Sequence, residues 1–173
     1  MITEEFNSTI DSWIEQLDYY GFPQLRAKPS ESAWSLGQVY MHLIESTAHF
    51  FEEARRCLSS NDHEHEEASP SAKKMFDNNE LPDILIEGPA SNRNTPQPDS
   101  KDQLIDGLMK LKAELNSLGA LMSATEFRGK TKHPGLRYFG AHDWLLFAEM
   151  HFRHHLRQKR RIDDFLSASA DRS

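Results

Sequence analysis

The sequence predicts an all-α chain folded as a four-helix bundle, and three observations predict it. Four stretches repeat apolar side chains at helical spacing, two of them open on a capping-box pattern, and no stretch alternates convincingly as a strand would. Helices with single apolar stripes bury those stripes best against one another, which is the bundle solution. The 173 residues are expected to form one domain, 1–173, long enough for its own core.

In the first helix Phe6, Ile10, Trp13, Leu17 and Tyr20 recur at i, i+4, i+7, i+11 and i+14. Thr3 is its expected cap, and Glu4 and Glu5 suit the positive end of a helix. Gly21-Phe22-Pro23 should end it, leaving 22–33, with Pro23 and Pro29, as a connection. The second helix starts at Ser35, which pairs with Gln38 as S-x-x-Q, while Trp34 and Val39 hold the positions of a hydrophobic staple. Leu36, Tyr40, Leu43, Phe50, Ala54 and Leu58 form its apolar face. His42 falls at the border of that face, beside Val39 and on the side of Gln38, Glu45 and His49, so the wheel alone leaves it facing solvent.

From 59 to 99 the composition changes. DHEHEEASPSAKK is charged and GPASNRNTPQPDS is rich in Pro, Ser and Asn, so this long segment between the second and third helices reads as a loop. A short helical turn at 72–76 and an extended piece at 84–86 are expected within it. His63-Glu64-His65 offers metal-type ligands, but in a solvated loop it reads as charged surface. A segment this long in a compact domain is often functional or mobile. Ser100 and Gln103 repeat the capping-box spacing and open the third helix, striped by Leu104, Leu108, Leu111, Leu115, Leu118 and Met122. The stretch 128–138, with Gly129, Pro134 and Gly135, reads as an ordered connection without strands. It leads into the fourth helix, expected from near Ala141.

That last helix carries the chemistry. Over 144–162, WLLFAEMHFRHHLRQKRRI, a turn of about 100° per residue gathers Trp144, Ala148, Phe152, Ile162 and Leu166 on one face. Glu149, Arg153, Arg157, Arg160 and Asp164 gather on the opposite, solvent face. His151 and His155 land within the apolar face, one turn apart, with Gln158 continuing the column. Imidazoles four residues apart on a helix can aim at a common centre. Burying them without a partner is costly, and a cation is one such partner; a hydroxyl, carboxylate or carbonyl in the core is the other. His154 falls toward the edge of the stripe.

Composition narrows the function classes. A net charge of −7 argues against general affinity for phosphate backbones, so no nucleic acid is expected despite the basic LRQKRR run, whose cations suit a helix C-terminus anyway. The single cysteine, Cys57, rules out an intramolecular disulfide framework and suits a reducing compartment. No apolar run of about 18 residues offers a membrane span. MITEEFNSTI lacks the basic flank and apolar core of a signal peptide, so a cytoplasmic location is expected.

W-S-L-G-Q-V-Y-M-H at 34–42, followed far downstream by H-F-R-H-H-L-R-Q at 151–158, resembles the DinB-like superfamily of metal-binding four-helix bundles, of the DinB and YfiT type. The stretch H-P-G-L…G…W-L-L-F…H…H-H-L-R-Q from His133 onward is similar to one bacterial branch of it. The resemblance touches all four helices, with its specific motifs on the second and fourth. It implies a divalent metal, nickel or zinc, bound by one His of the second helix and the H-x-x-x-H pair of the last. Carried over by position, the ligands are His42, His151 and His155, and the resemblance thereby turns the border residue His42 inward. His63 and His65 have no counterpart in the motif.

Three neutral imidazoles leave at least one coordination position open, as in catalytic sites. The resemblance implies a metal-dependent S-transferase of a low-molecular-weight thiol onto an electrophile, or a related hydrolase. Gln158, Glu45 and His154 are the candidates for orienting ligands or substrate. A di-iron carboxylate centre is excluded, because it needs Glu-x-x-His pairs that no expected helix contains. The alternative is a non-catalytic bundle that acts by association, as a homodimer through exposed Phe147, Tyr19 or Tyr20, with the His cluster structural.

Overall fold

The computed structural model describes residues 1–82 and 94–171, so the extended piece expected at 84–86 lies outside the described residues. The fold is all-α around a bundle, as the stripes require. Helix α1 spans Ile2–Gln16 and ends in a 3-10 turn, Leu17–Tyr19; a short α2 spans Phe22–Arg26; and α3 spans Leu36–Cys57. After them come α4 (Pro70–Asn78), α5 (Lys101–Ala124), strands β1 (Thr131–His133) and β2 (Arg137–Phe139), α6 (Ala141–His154) and α7 (Leu156–Ala170). The bundle proper is α1, α3, α5 and α6 continued by α7. Helix α6 packs chiefly against α3, and α3 against α5.

Local chemistry explains most boundaries. The Ser35 hydroxyl accepts from the Gln38 amide at 3.1 Å and Gln38 Oε1 accepts from the Ser35 amide at 3.0 Å, so the expected capping box starts α3. At α5 the Ser100 hydroxyl accepts from Gln103 N, but Gln103 Oε1 takes the amide of Asp99 instead. Thr3 is not a cap. The helix begins two residues earlier, with Met1 at the cap position, the Glu4 and Glu5 amides donate to the Met1 carbonyl, and the Thr3 methyl packs against Gly119 of α5. Nor does the chain simply end its helix at 21–23: Pro23, near a helix start where no amide is missed, lets α2 form and seat Leu25 in the core.

Two other expectations are corrected. The stretch 128–138 holds an antiparallel strand pair, Thr131 opposite Phe139 and Lys132 opposite Tyr138, turning through Gly135 at φ 92°. Three-residue strands are too short for alternation to be read. The fourth helix is interrupted at His155 (φ −76°, ψ −6°), although the His155 amide still donates to the His151 carbonyl at 3.2 Å. Within 59–99 the turn at 72–76 is a longer helix, α4, capped by Ser69 and closed by left-handed Asn79 at φ 54°.

The core runs through Phe6, Trp13, Tyr40, Phe51, Trp144 and Phe152, all essentially buried. Glu149, placed on the solvent face by periodicity, is buried at 6% exposure, and Lys159 is buried at 7%. Helices α1 and α4 also pack against α6, and Thr9 of α1 bonds Glu149 directly, which takes that carboxylate out of water. Each charge has its partners. Glu149 takes two bonds from Arg153, at 3.0 and 2.8 Å, and one from Thr9; Arg153 also reaches the Asn79 carbonyl at 2.8 Å. Lys159 donates to Asp163 at 2.8 Å and to the Tyr20 hydroxyl at 2.9 Å. No helix among the described residues is long and apolar enough to cross a membrane.

Candidate metal centre

Helix α3 presents His42 about two turns past its Ser35 cap, and the α6–α7 junction presents His151 and His155. The start of α3 is fixed tightly. Gly37 is needed there because a Cβ would sit 2.6 Å from Pro98 Cγ and 2.7 Å from the Leu25 carbonyl, and Gln38 Nε2 donates to the Thr95 carbonyl at 2.8 Å. His42 is therefore held inward at 8% exposure, because α6 lies against that side of α3 and widens its buried arc beyond the apolar stripe. The solvent-facing position drawn from the wheel is overturned; the inward one implied by the family resemblance is what is observed.

The three imidazoles converge. His151 Nε2 lies 3.3 Å from His42 Nε2 and 3.1 Å from His155 Nε2, and one ligand atom from each of the three falls within 4.8 Å of the others. Imidazole nitrogens bind zinc at about 2.0–2.1 Å, so two ligands on one ion stand about 3.0–3.4 Å apart. The Nε2 separations about His151 fit that. Gln158 Oε1 accepts from His155 Nδ1 at 2.9 Å; an amide oxygen cannot donate, so the proton sits on Nδ1 and the Nε2 lone pair faces the centre. His42 Nδ1 stands 3.4 Å from the Ser46 hydroxyl. His151 Nδ1 is buried with no protein partner among the described residues. Three nitrogens crowded together with no carboxylate among them are the donor set a cation satisfies.

The surroundings are aromatic. The Trp34 ring lies 5.0 Å from that of His42, and Phe50 meets the His151 ring edge-on at 5.9 Å while stacking on Trp144. Trp34, Ser46 and Phe50 were not among the expected site residues. Only the position of Ser46, four residues after His42, is a signal readable in advance. Of the three orienting candidates, Gln158 holds a ligand. Glu45 is exposed and turns away from the cluster. The His154 ring lies 5.5 Å from that of His155 and contributes no atom to the three. His133 sits instead in a cluster with Phe139, Trp144 and Phe147. Phe147 is thus no exposed dimer residue, and Tyr20 is engaged by Lys159 and Asp163; Tyr19 is the exposed one, at 76%. His63 and His65 stay in the surface segment.

A family model describing the DinB superfamily matches residues 4–158, from the first turn of α1 through Gln158. The chain belongs to the DinB superfamily. That stretch of DinB-like fold holds all three converging histidines and the glutamine that orients one of them. Among curated proteins the chain finds no match.

Burial sets the protonation of this DinB-type cluster. It holds His42 down to about 4, helped by the nearby His155 ring. His155 is also pushed by burial to about 4, against the opposing pull of Gln158. His151 lies well below the ordinary imidazole range, first by burial and then by its His neighbours. All three are neutral at pH 7, as ligands must be. In the metal-free protein the unfolded chain binds protons near pH ~6.5, whereas the folded one resists them until about 4. The stability these groups contribute is therefore complete above about 6.5 and is lost as pH falls toward 4. The melting temperature of chelator-treated protein should drop between pH 6.5 and 5, before most carboxylates titrate. A flat profile over that interval would contradict the burial of these rings.

Proposed function

We propose that this DinB-superfamily chain binds one divalent ion, nickel or zinc, through His42, His151 and His155, and uses it to transfer a low-molecular-weight thiol to a small electrophile. Hydrolysis of a small molecule is the related alternative at the same centre. The observation that carries the reading is the convergence of three Nε2 atoms from two helices on one point, with no fourth protein ligand among the described residues. A divalent ion held there supplies Lewis acidity at an open position, favouring the deprotonated form of a thiol or water.

The chain's own groups do the rest. Gln158 fixes the tautomer and plane of His155. Trp34 and Phe50 flank the rings with apolar surface, which excludes water and strengthens electrostatic interactions at the centre. No carboxylate joins the three imidazoles, so a bound dication keeps its full charge.

Elemental analysis of purified protein should give about one equivalent of zinc or nickel. A screen of low-molecular-weight thiols with alkylating electrophiles, alongside ester and amide substrates, should find turnover that chelation removes and the metal restores. Gln158→Ala should weaken metal affinity roughly 10–100-fold, and Gln158→Glu, which keeps an acceptor, should recover most of it. Protein that carries no metal and takes up neither zinc nor nickel overturns the proposal. A concentration-dependent oligomer indifferent to chelators would then favour the association reading, for which Tyr19 is the exposed candidate.

A further inference from the structure

At the far end of α3 from the histidines, a second depression of about 540 Å³ opens between the segment that follows the helix and the strand pair. Arg56 follows His42 by 14 residues of α3, about 21 Å at ~1.5 Å per residue, so the two places do not overlap. The lining holds Arg56, Lys130 and Lys132 against one acid, Asp62, in a chain whose net charge is −7. Lys132 and Tyr138 face each other across the strand pair and so project from one face of it.

Several donors there remain unspent. The Lys132 ammonium and the Tyr138 hydroxyl have no hydrogen-bond or ion-pair partner among the described residues. Ser60 Oγ accepts from the Asp62 amide at 3.2 Å, which leaves its hydroxyl proton available, whereas Thr131 Oγ1 accepts from the Trp144 indole at 2.7 Å and is shared with Cys57 Sγ at 3.7 Å. Arg56 is shared with Glu53 at 3.0 Å and Glu52 at 3.4 Å, and Lys130 donates to the Glu66 carbonyl. The walls are fixed to each other rather than merely adjacent. Gly129 N donates to the Ser60 carbonyl and Lys130 N to the Asp62 carbonyl, both at 2.8 Å. At Gly129 a Cβ would lie 2.5 Å from that Ser60 oxygen, so only glycine allows the approach. His63 completes the rim in a left-handed conformation, φ 59°, with its ring tilted over Tyr138 at 5.0 Å.

We propose that this depression binds a phosphate-bearing small molecule. Cations and hydroxyl donors reach it from three chain segments, which suits a group with three or more acceptor oxygens rather than a flat carboxylate. The volume lies in the range of small-molecule sites, and the His63–Tyr138 pair offers an aromatic face for whatever the phosphate is attached to.

The test uses full-length protein stripped of metal by chelation and then freed of chelator, titrated calorimetrically with inorganic phosphate and pyrophosphate at constant ionic strength. Saturable binding is expected, with pyrophosphate the tighter. Lys132→Gln, an exposed change that costs the fold little, should weaken it roughly 10-fold by removing one charge-assisted bond. Lys130→Gln should weaken it as well, and His42→Ala should leave it unchanged. Heat no different from that of matched sodium chloride overturns the proposal, as does binding that survives Lys130→Gln and Lys132→Gln together or disappears in His42→Ala.

Discussion

His151→Ala is expected to strip the protein of its metal and of any metal-dependent turnover while leaving helix content intact. His151 Nε2 is the shared vertex of the cluster, 3.3 Å from one partner nitrogen and 3.1 Å from the other. Without it His42 and His155 remain as two ligands, and the loss of affinity should exceed the roughly 10–100-fold that follows removal of an outer hydrogen-bond partner. Metal content by elemental analysis checks this, with circular dichroism for the fold. His42→Ala should behave alike, whereas His63→Ala and His65→Ala should keep the metal. In the metal-free state His151→Ala should shift stability by about 1 kcal/mol, because it removes the unpartnered Nδ1 but also takes the neighbouring nitrogen from His42 and His155. An equivalent of metal retained in both His151→Ala and His42→Ala would mean that the ion sits elsewhere.

Phe152→Ala should have the largest effect on stability. Its ring is wholly buried and meets Phe6 and Trp13 edge-on, each at 5.7 Å, so it joins α6 to α1. Truncating it removes the transfer free energy of the ring and leaves a cavity, a combined cost of about 3–5 kcal/mol. That is a large share of the roughly 5–15 kcal/mol by which domains are stable. Denaturant midpoints measure it, and a loss below about 1 kcal/mol would show that this seam is not part of the core. Neighbouring positions on a helix point about 100° apart. Phe152→Ala should therefore keep its metal stoichiometry under conditions where it remains folded, and His151→Ala should keep its stability, so adjacent residues separate folding from binding.

The bundle was legible because its stripes are long and its caps are explicit: Ser35 with Gln38 is realised as both bonds of the box. The His151–His155 pair was legible for the same reason, since i, i+4 spacing on an apolar stripe fixes a direction. His42 was not legible from periodicity. Its burial comes from how much of α3 is covered by α6, a tertiary fact that no wheel contains. Glu149 failed in the opposite sense, because charge spacing resembles a solvent face until another helix covers it. The strand pair is too short to carry a period, and Phe51, not Phe50, enters the core of α3 because adjacent aromatics leave the phase ambiguous.

His42 and His151 are separated by 109 positions in the chain. During synthesis, which delivers the N-terminal helices first, α3 emerges with only one of the three converging imidazoles. The complete set of three exists only once α6 has docked and the junction at His155 has formed. A newly made chain is thereby kept from capturing metal ions through this set before it is folded. The site is delivered last, and whatever fills it reports that the bundle has closed.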